Sequence, residues 1–459
     1  MDAKDYTKKA IEAYNAHRYK DAEILFKKAI EFEPNYAEGY ANLGALYAKF
    51  KMYDKAIELY KHSIKLKPTY AGAWTNIGNA LNKTKKHEEA VFCHQRAIAL
   101  SPNEANHYSN CASAYKNLGR FNLAEKYYKK AIELNPNHIN AHFDLSTVLL
   151  QTSKYEEGWE EYEWRFKKDE MKNHLIKYKE IFNKPRYDGR DLKNNESVLV
   201  HAEQGFGDAF MVARYLYDLK QKGAKVILYL RDGMAELFET MECVDEVYVR
   251  DKSKLPSYDF QISFMSLPII FDKSLKNITK HYPYFKIDEK YPLPKNDKLK
   301  IGIVWGASNT GESYADKVFD IRYFTKLAKH KDVEVYSLQV GEDSKDIQKY
   351  ALENDITDFS GVLDNFYTTA KIINSLDLVI TSDTSVAHLA GGMGKLVWIL
   401  LQRVPDWRWG VYGEKSVWYP SAKLFWQYSL GDFDSVFKQV YDEMQNQYGI
   451  KVIDDRSFW

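Results

Sequence analysis

Three stretches of the sequence hold side chains that could do chemistry together. In "HAEQGFGDAF" (201–210), Glu203, Gln204, Gly205, Gly207 and Asp208 lie between an apolar run and a helix-like run. Two glycines one residue apart after a strand suggest a dinucleotide phosphate loop. However, Phe210 fills the third glycine place of G-x-G-x-x-G, and Asp208 at the helix start would repel a pyrophosphate. That excludes a nicotinamide or flavin site. Asp208 has two readings. It is a helix cap, a role aspartate fills well, or a carboxylate held on a glycine turn as base toward an acceptor hydroxyl, with Glu203 as the alternative base.

In "TSDTSVAHLAGGMG" (381–394), Asp383, Thr384 and Ser385 open a helix after the strand "LVITS". Hydroxyls and free backbone N–H groups at a helix start form an anion site. His388 falls four residues after Thr384, on the same helical face, so it could reach the same phosphate or ribose; a satisfied structural histidine is the other reading. The third stretch, "WGASNTGESYADKVFD" (305–320), is a polar loop after a strand, beginning at Trp305 and Ser308. Lys317 there could neutralise a diphosphate as a point charge.

Composition removes several classes of function. The 459 residues are 45% hydrophobic and 28% charged, an ordinary globular balance. With 65 basic and 64 acidic side chains the net charge is +1, so the basic footprint of a nucleic-acid-binding protein is missing. The three cysteines (Cys93, Cys111, Cys243) form no CxxC and no Cys/His cluster, as expected of free thiols in a reducing cytosol. "DFD" (432–434) is the only D-x-D and opens an amphipathic C-terminal helix; it reads as a cap, and no metal is expected. The N-terminus lacks an apolar signal region, and the longest apolar runs fall far short of the ~20 residues of a spanning helix. These features predict a cytoplasmic chain that does not enter a membrane.

The elements that must position these residues fall into two kinds. Pro34, Pro68, Pro102 and Pro136 recur at intervals of 34 residues, and Ala22, Ala56, Ala90 and Ala124 keep the same step. So do the ring side chains Tyr19, Tyr53, His87, Phe121 and Tyr155, while Gly44, Gly78 and Ala112 hold a small position. Small residues allow two helices to approach, an aromatic opens the second, and proline ends the unit. The pattern resembles tetratricopeptide repeats, about four and a half of them over 1–166, the last losing phase at Gly158. Such a solenoid leaves a concave groove for peptide or protein docking; a spacer or an oligomerisation surface is the alternative. Residues 167–195 read as a connector, with one helix in "NHLIKYKEIF".

From Glu196 the period changes. Apolar runs at 197–201, 225–230, 246–249 and 260–264 are separated by helix-like stretches, as are those at 300–306, 334–339, 378–382 and 396–401. Strands alternating with helices imply parallel sheets. A proline-containing break at 289–298 divides them into two Rossmann-type α/β lobes, 196–295 and 296–459. The fold class expected is thus α + α/β: a tetratricopeptide solenoid followed by paired lobes. Open α/β sheets bind ligands beyond the carboxyl ends of their strands, where all three stretches lie.

These residues carry a resemblance. The chain from about 196 to 440 is similar to glycosyltransferases of the GT-B type, close to bacterial lipopolysaccharide heptosyltransferases: "FGD" (206–208) matches their glycine–aspartate loop, "DK" (316–317) their phosphate-binding lysine loop, and "DTSVAH" (383–388) their donor-binding D-T-x-x-x-H. The whole chain resembles bacterial proteins that join tetratricopeptide repeats to such a domain, through "GWEEYEWRF" (158–166), "HAEQGFGD" (201–208), "SLQVGED" (337–343), "PDWRWG" (405–410) and "WYPSAKLF" (418–425). That group is associated with protein glycosylation, including nonulosonic sugars on flagellins, and is similar in arrangement to O-linked N-acetylglucosamine transferases. Ser385 replaces the glycine usual in the heptosyltransferase motif, and repeats have no place in lipopolysaccharide synthesis; both point away from a heptose-to-lipid reaction.

The resemblance implies a metal-independent transferase, without cofactor, that moves a sugar from a nucleotide-sugar donor to a Ser/Thr hydroxyl of a protein such as flagellin. Asp208 or Glu203 would take the acceptor proton. Trp305, Ser308, Lys317, Gln339, Asp383, Thr384, Ser385 and His388 would hold the donor, with Gln204, Gly205 and Gly207 shaping the loop. The repeats would dock the protein acceptor or form a homo-oligomer. The alternatives are a scaffold with an inactive transferase-like domain and a transferase acting on a glycan or lipid-linked acceptor.

Overall fold

The computed structural model describes residues 2–193, 195–203, 205–307 and 317–452. The chain divides into two compact units, Met1–Leu149 and Leu150–Trp459.

The first unit is built from helix pairs: Ala3–Asn15 with Tyr19–Phe32, Ala37–Lys49 with Tyr53–Leu66, Ala71–Lys83 with His87–Leu100, and Ala105–Asn117 with Phe121–Leu134. The helix Ile139–Gln151 begins the next pair. Ala22, Ala56, Ala90 and Ala124 are fully buried where helices touch. A Cβ on Gly44 would stand 2.7 Å from the Tyr60 ring, and one on Gly78 2.5 Å from the His94 ring. The small positions are therefore small because a ring from the second helix lies directly on them. The helix Ala3–Asn15 starts with a reciprocal cap between Asp2 and Asp5. The next seven start with no side-chain cap, and interhelical packing holds them instead.

The second unit contains two parallel sheets. The first has β1 (Ser197–His201), β2 (Lys225–Leu230), β3 (Glu246–Val249) and β4 (Phe260–Ser263), in the order β3-β2-β1-β4. The second has β5 (Leu299–Val304), β6 (Val333–Ser337), β7 (Ile356–Asp358), β8 (Leu378–Ser382), β9 (Val397–Leu401) and β10 (Ala422–Trp426), in the order β10-β9-β8-β5-β6-β7. In each sheet the winding reverses beside the first strand, between β1 and β4 and between β5 and β8. That is where doubly wound folds open a crevice for ligands. All eight expected strands are found with ends within two residues of those expected. β7, only three residues long, and β10, which begins in "WYPSAKLF" and ends at Trp426, add to them.

The second compact unit begins at Leu150, within the stretch read as the last half-repeat. The helix Tyr155–Tyr162 is followed by a 3-10 turn, Glu163–Lys167, and Trp159 is buried edge-on against Trp407 and Trp418. The expected connector is also built into this unit. After the helix Asp169–Lys177, Ile181 joins Leu199, Ile227, Tyr229 and Tyr258 in one apolar cluster. Farther on, Tyr187 N–H donates to Gln261 O at 2.9 Å and Gln261 N–H to Pro185 O at 3.0 Å.

Candidate functional site

The loop after β1 leads into the helix Phe206–Val212, whose N-cap is Gly205. Asp208 is the third helical residue and makes no capping hydrogen bond, so the cap reading is overturned. Its carboxylate is held by the Arg408 guanidinium. Gly207 is required by proximity, since a Cβ there would meet the His388 ring at 2.6 Å. The helix after β1 thus lies directly on the helix Ser385–Gly392 that follows β8. Gln204 and Ser308, together with 309–316, lie outside the described residues.

Asp383, just after β8, accepts from Lys317 Nζ at 2.6 Å. Thr384 is the N-cap of Ser385–Gly392 and makes no capping hydrogen bond; its hydroxyl instead pairs with Thr381 Oγ1 at 2.9 Å. The first N–H groups of this helix therefore remain unclaimed by a side-chain cap, an arrangement that favours an anion. His388 is buried, hydrogen-bonded through Nδ1 to Tyr419 Oη at 2.8 Å and stacked on Trp409 at 5.0 Å. Burial pushes its pKa down to about 3 against the pull of Asp383, which leaves a neutral imidazole.

Burial also raises the Asp208 carboxyl above its ordinary value; Arg408 opposes this, and Asp406 and Asp383 add to it. Asp383 goes the other way. Burial works against its charge, yet Lys317 and Arg408 hold its pKa below the usual carboxylate value. Two half-buried acids of one cluster are thus driven in opposite directions, the pattern expected where one must exchange a proton and the other must stay charged.

Other expected residues have supporting places. Glu203 Oε1 accepts from Arg165 Nε at 2.7 Å, and Glu203 Oε2 is buried without a partner. Arg165 also donates to Glu163 at 2.6 Å and to Ser266 at 2.8 Å, so Glu203 serves as its counter-ion. Trp305 is fully buried in the core of the second sheet, its indole N–H 3.3 Å from Asp346. Gln339 Oε1 accepts from Gly306 N–H at 2.8 Å and Gln339 Nε2 donates to Val340 O, which fixes the start of the loop after β5. Ser385 stands half-buried at the first helical turn.

Sequence reasoning left out Arg408 and Asp406. Asp406 caps the 3-10 turn Trp407–Trp409 and accepts from Arg408 Nη1 at 2.5 Å. The Gln151 amide donates to Pro405 O and Gly410 O, each at 3.1 Å, and so clasps both ends of this loop. Trp407 sits among Trp159, Tyr162 and Trp418. The signal available was an arginine between two tryptophans in "PDWRWG". Among the described residues no group of three His, Cys, Asp or Glu side chains could hold a metal ion, and no helix is long and apolar enough to cross a membrane.

Residues 37–70, 71–104 and 105–138 each match the family model described as Tetratricopeptide repeat, and a second model of that description matches 127–160. Protein FlbA of Caulobacter vibrioides is 25% identical over 320 residues, covering 62% of this chain and 51% of that protein. The chain therefore spans about half the length of this curated relative. Among solved structures, MamA (41-end) from Desulfovibrio magneticus RS-1 is 22% identical, covering 38% of this chain and 96% of that one, with a TM-score of 0.32. PilF of Pseudomonas aeruginosa is 20% identical, covering 35% and 74%, with a TM-score of 0.34.

Proposed function

We propose that the chain is a metal-independent glycosyltransferase of the GT-B kind, which moves a sugar from a nucleotide-sugar donor to a Ser/Thr hydroxyl of a protein bound by its repeats. The observation that carries this reading is the meeting of two switch-point loops. Asp208 comes from the first sheet and Lys317, Asp383 and the uncapped helix start at Thr384–Ser385 from the second. In the step envisaged, the acceptor O–H proton passes to Asp208 and the acceptor oxygen bonds to the anomeric carbon. The bond from that carbon to the donor phosphate breaks, and its electron pair goes to the phosphate oxygen. Lys317 and the N–H groups at the helix start stabilise that charge. The sugar is a nonulosonic acid if the resemblance extends to substrate.

A positioned base contributes roughly 10²–10⁴-fold. Asp208→Asn is expected to lower turnover by about that factor while nucleotide binding persists; wild-type turnover in this variant would sink the mechanism.

One observation favours a second reading, an inactive scaffold: Asp208 and Lys317 are both already neutralised by internal partners, Arg408 and Asp383. Thermal shifts with a panel of nucleotide sugars separate the two readings, because a scaffold responds to none.

A further inference from the structure

Arg408 holds two acids at once. Its Nη1 donates to Asp406 at 2.5 Å, within its own loop, while its Nη2 reaches across to Asp208. The loop itself is fixed by the Gln151 clasp at both ends, by the box of rings around Trp407, and by Trp409 stacked on His388. The guanidinium lies 4.5 Å over the Trp407 ring. Asp406 and Trp407 thus seat the guanidinium within its own loop, whereas the Asp208 contact reaches across to the helix after β1. The Asp208 and Arg408 side chains each keep 13% of their exposure, so both are reachable from outside.

Charge gives the direction. Among the described residues, three carboxylates (Asp208, Asp383, Asp406) face two cations (Lys317, Arg408) in this cluster. A phosphate entering such a site finds Lys317 paired with Asp383 and Arg408 paired twice. A guanidinium binds phosphate and carboxylate with the same planar fork, so the anion can replace Asp208 on Nη2 while Asp406 stays in place.

We propose that Arg408 is a phosphate-binding residue of the donor site that masks Asp208 until the donor arrives. Its Nη2 arm then leaves the carboxylate for a phosphate oxygen and exposes the base to the acceptor hydroxyl. Loss of the guanidinium also strengthens the base, because a buried carboxylate without its cation binds protons more tightly. The donor therefore binds before the acceptor. This inference rests on the transferase reading of the same site.

The test uses nucleotides, not the unidentified donor. CMP, UDP, GDP and ADP are titrated by calorimetry into the full chain, its Asp208→Asn variant, Arg408→Gln, and the double variant. Removing the competing charge frees the arm, so the nucleotide bound by wild type should bind about tenfold tighter to Asp208→Asn. The gain should vanish in the double variant. Arg408→Gln alone should bind more weakly, and Arg408→Lys, which keeps the charge but not the fork, should fall between. If wild type binds a nucleotide and Asp208→Asn binds it equally or more weakly, the masking role is overturned while the transferase reading stands. If neither binds any nucleotide, the transferase reading falls and takes this inference with it.

Discussion

A buried histidine of the repeat unit and three arginines of the α/β unit are accommodated in opposite ways. In the repeats, the buried ring at His94 replaces the tyrosines at Tyr60 and Tyr128 one step of 34 away on either side, and neither of its nitrogens has a partner. It is a neutral packing group, pressed onto Gly78 as Tyr60 is pressed onto Gly44. In the α/β unit, Arg165 and Arg214 are buried charges and Arg408 a half-buried one, each with named partners from distant parts of the chain. At the His94 position packing between neighbours needs only shape, whereas Ser63 and Thr75, also buried in the repeats, are hydrogen-bonded and Glu125 is paired with Lys129. A site needs charges held in fixed places without water, and only paired charges survive burial.

The largest expected effect tests the charged side of this comparison. Arg165→Met leaves the Glu203 carboxylate buried without its cation, while Glu163 keeps Arg186, at about 3–5 kcal/mol. Hydrogen exchange should show that loss in 150–452, with amides in 3–149 unchanged; equal loss in the repeats would mean the two units do not unfold separately. A smaller effect tests the shape side. Gly78→Ala drives a methyl into the His94 ring, 2.5 Å away, and overpacking of this kind costs roughly 1–3 kcal/mol. Exchange should speed up in the repeats and leave nucleotide binding untouched.

The smallest effect at neutral pH is the most specific. Burial lowers the His94 pKa from 6.5 to about 4. The unfolded chain therefore takes up this proton first as pH falls, and the repeats lose stability between those two values, a loss absent above 6.5. His94→Tyr, which copies the Tyr60–Gly44 contact, should flatten that acid limb in a pH series of melting curves and leave stability at pH 8 nearly unchanged. An acid limb as steep as wild type would assign it to other groups, such as His201, also lowered to about 4 by burial.

Much was legible before folding. The 34-residue period exposes the helix pairs because each contact repeats at fixed separation, and the strands of both sheets stand out as short apolar runs. β7 was too short to register, and β10 was hidden in a stretch whose tryptophans and proline read as a motif. The half-repeat at Gly158 departs from phase where Trp159 and Tyr162 pack against Trp407 and Arg165 pairs with Glu203.

Local order alone places Asp208 and Asp383 each after a strand, the one within and the other just before the first turn of a helix, because neighbouring residues set strand, turn and helix start. It did not determine their partners. Whether Asp208 capped its helix depended on Gly205 taking the cap and on Arg408 arriving from 200 residues away, and Lys317 reaches Asp383 across 66. Such pairings exist only once two sheets and a clasped loop are packed together. Local pattern carries no record of them, since any of several acids and bases could have been the ones that met.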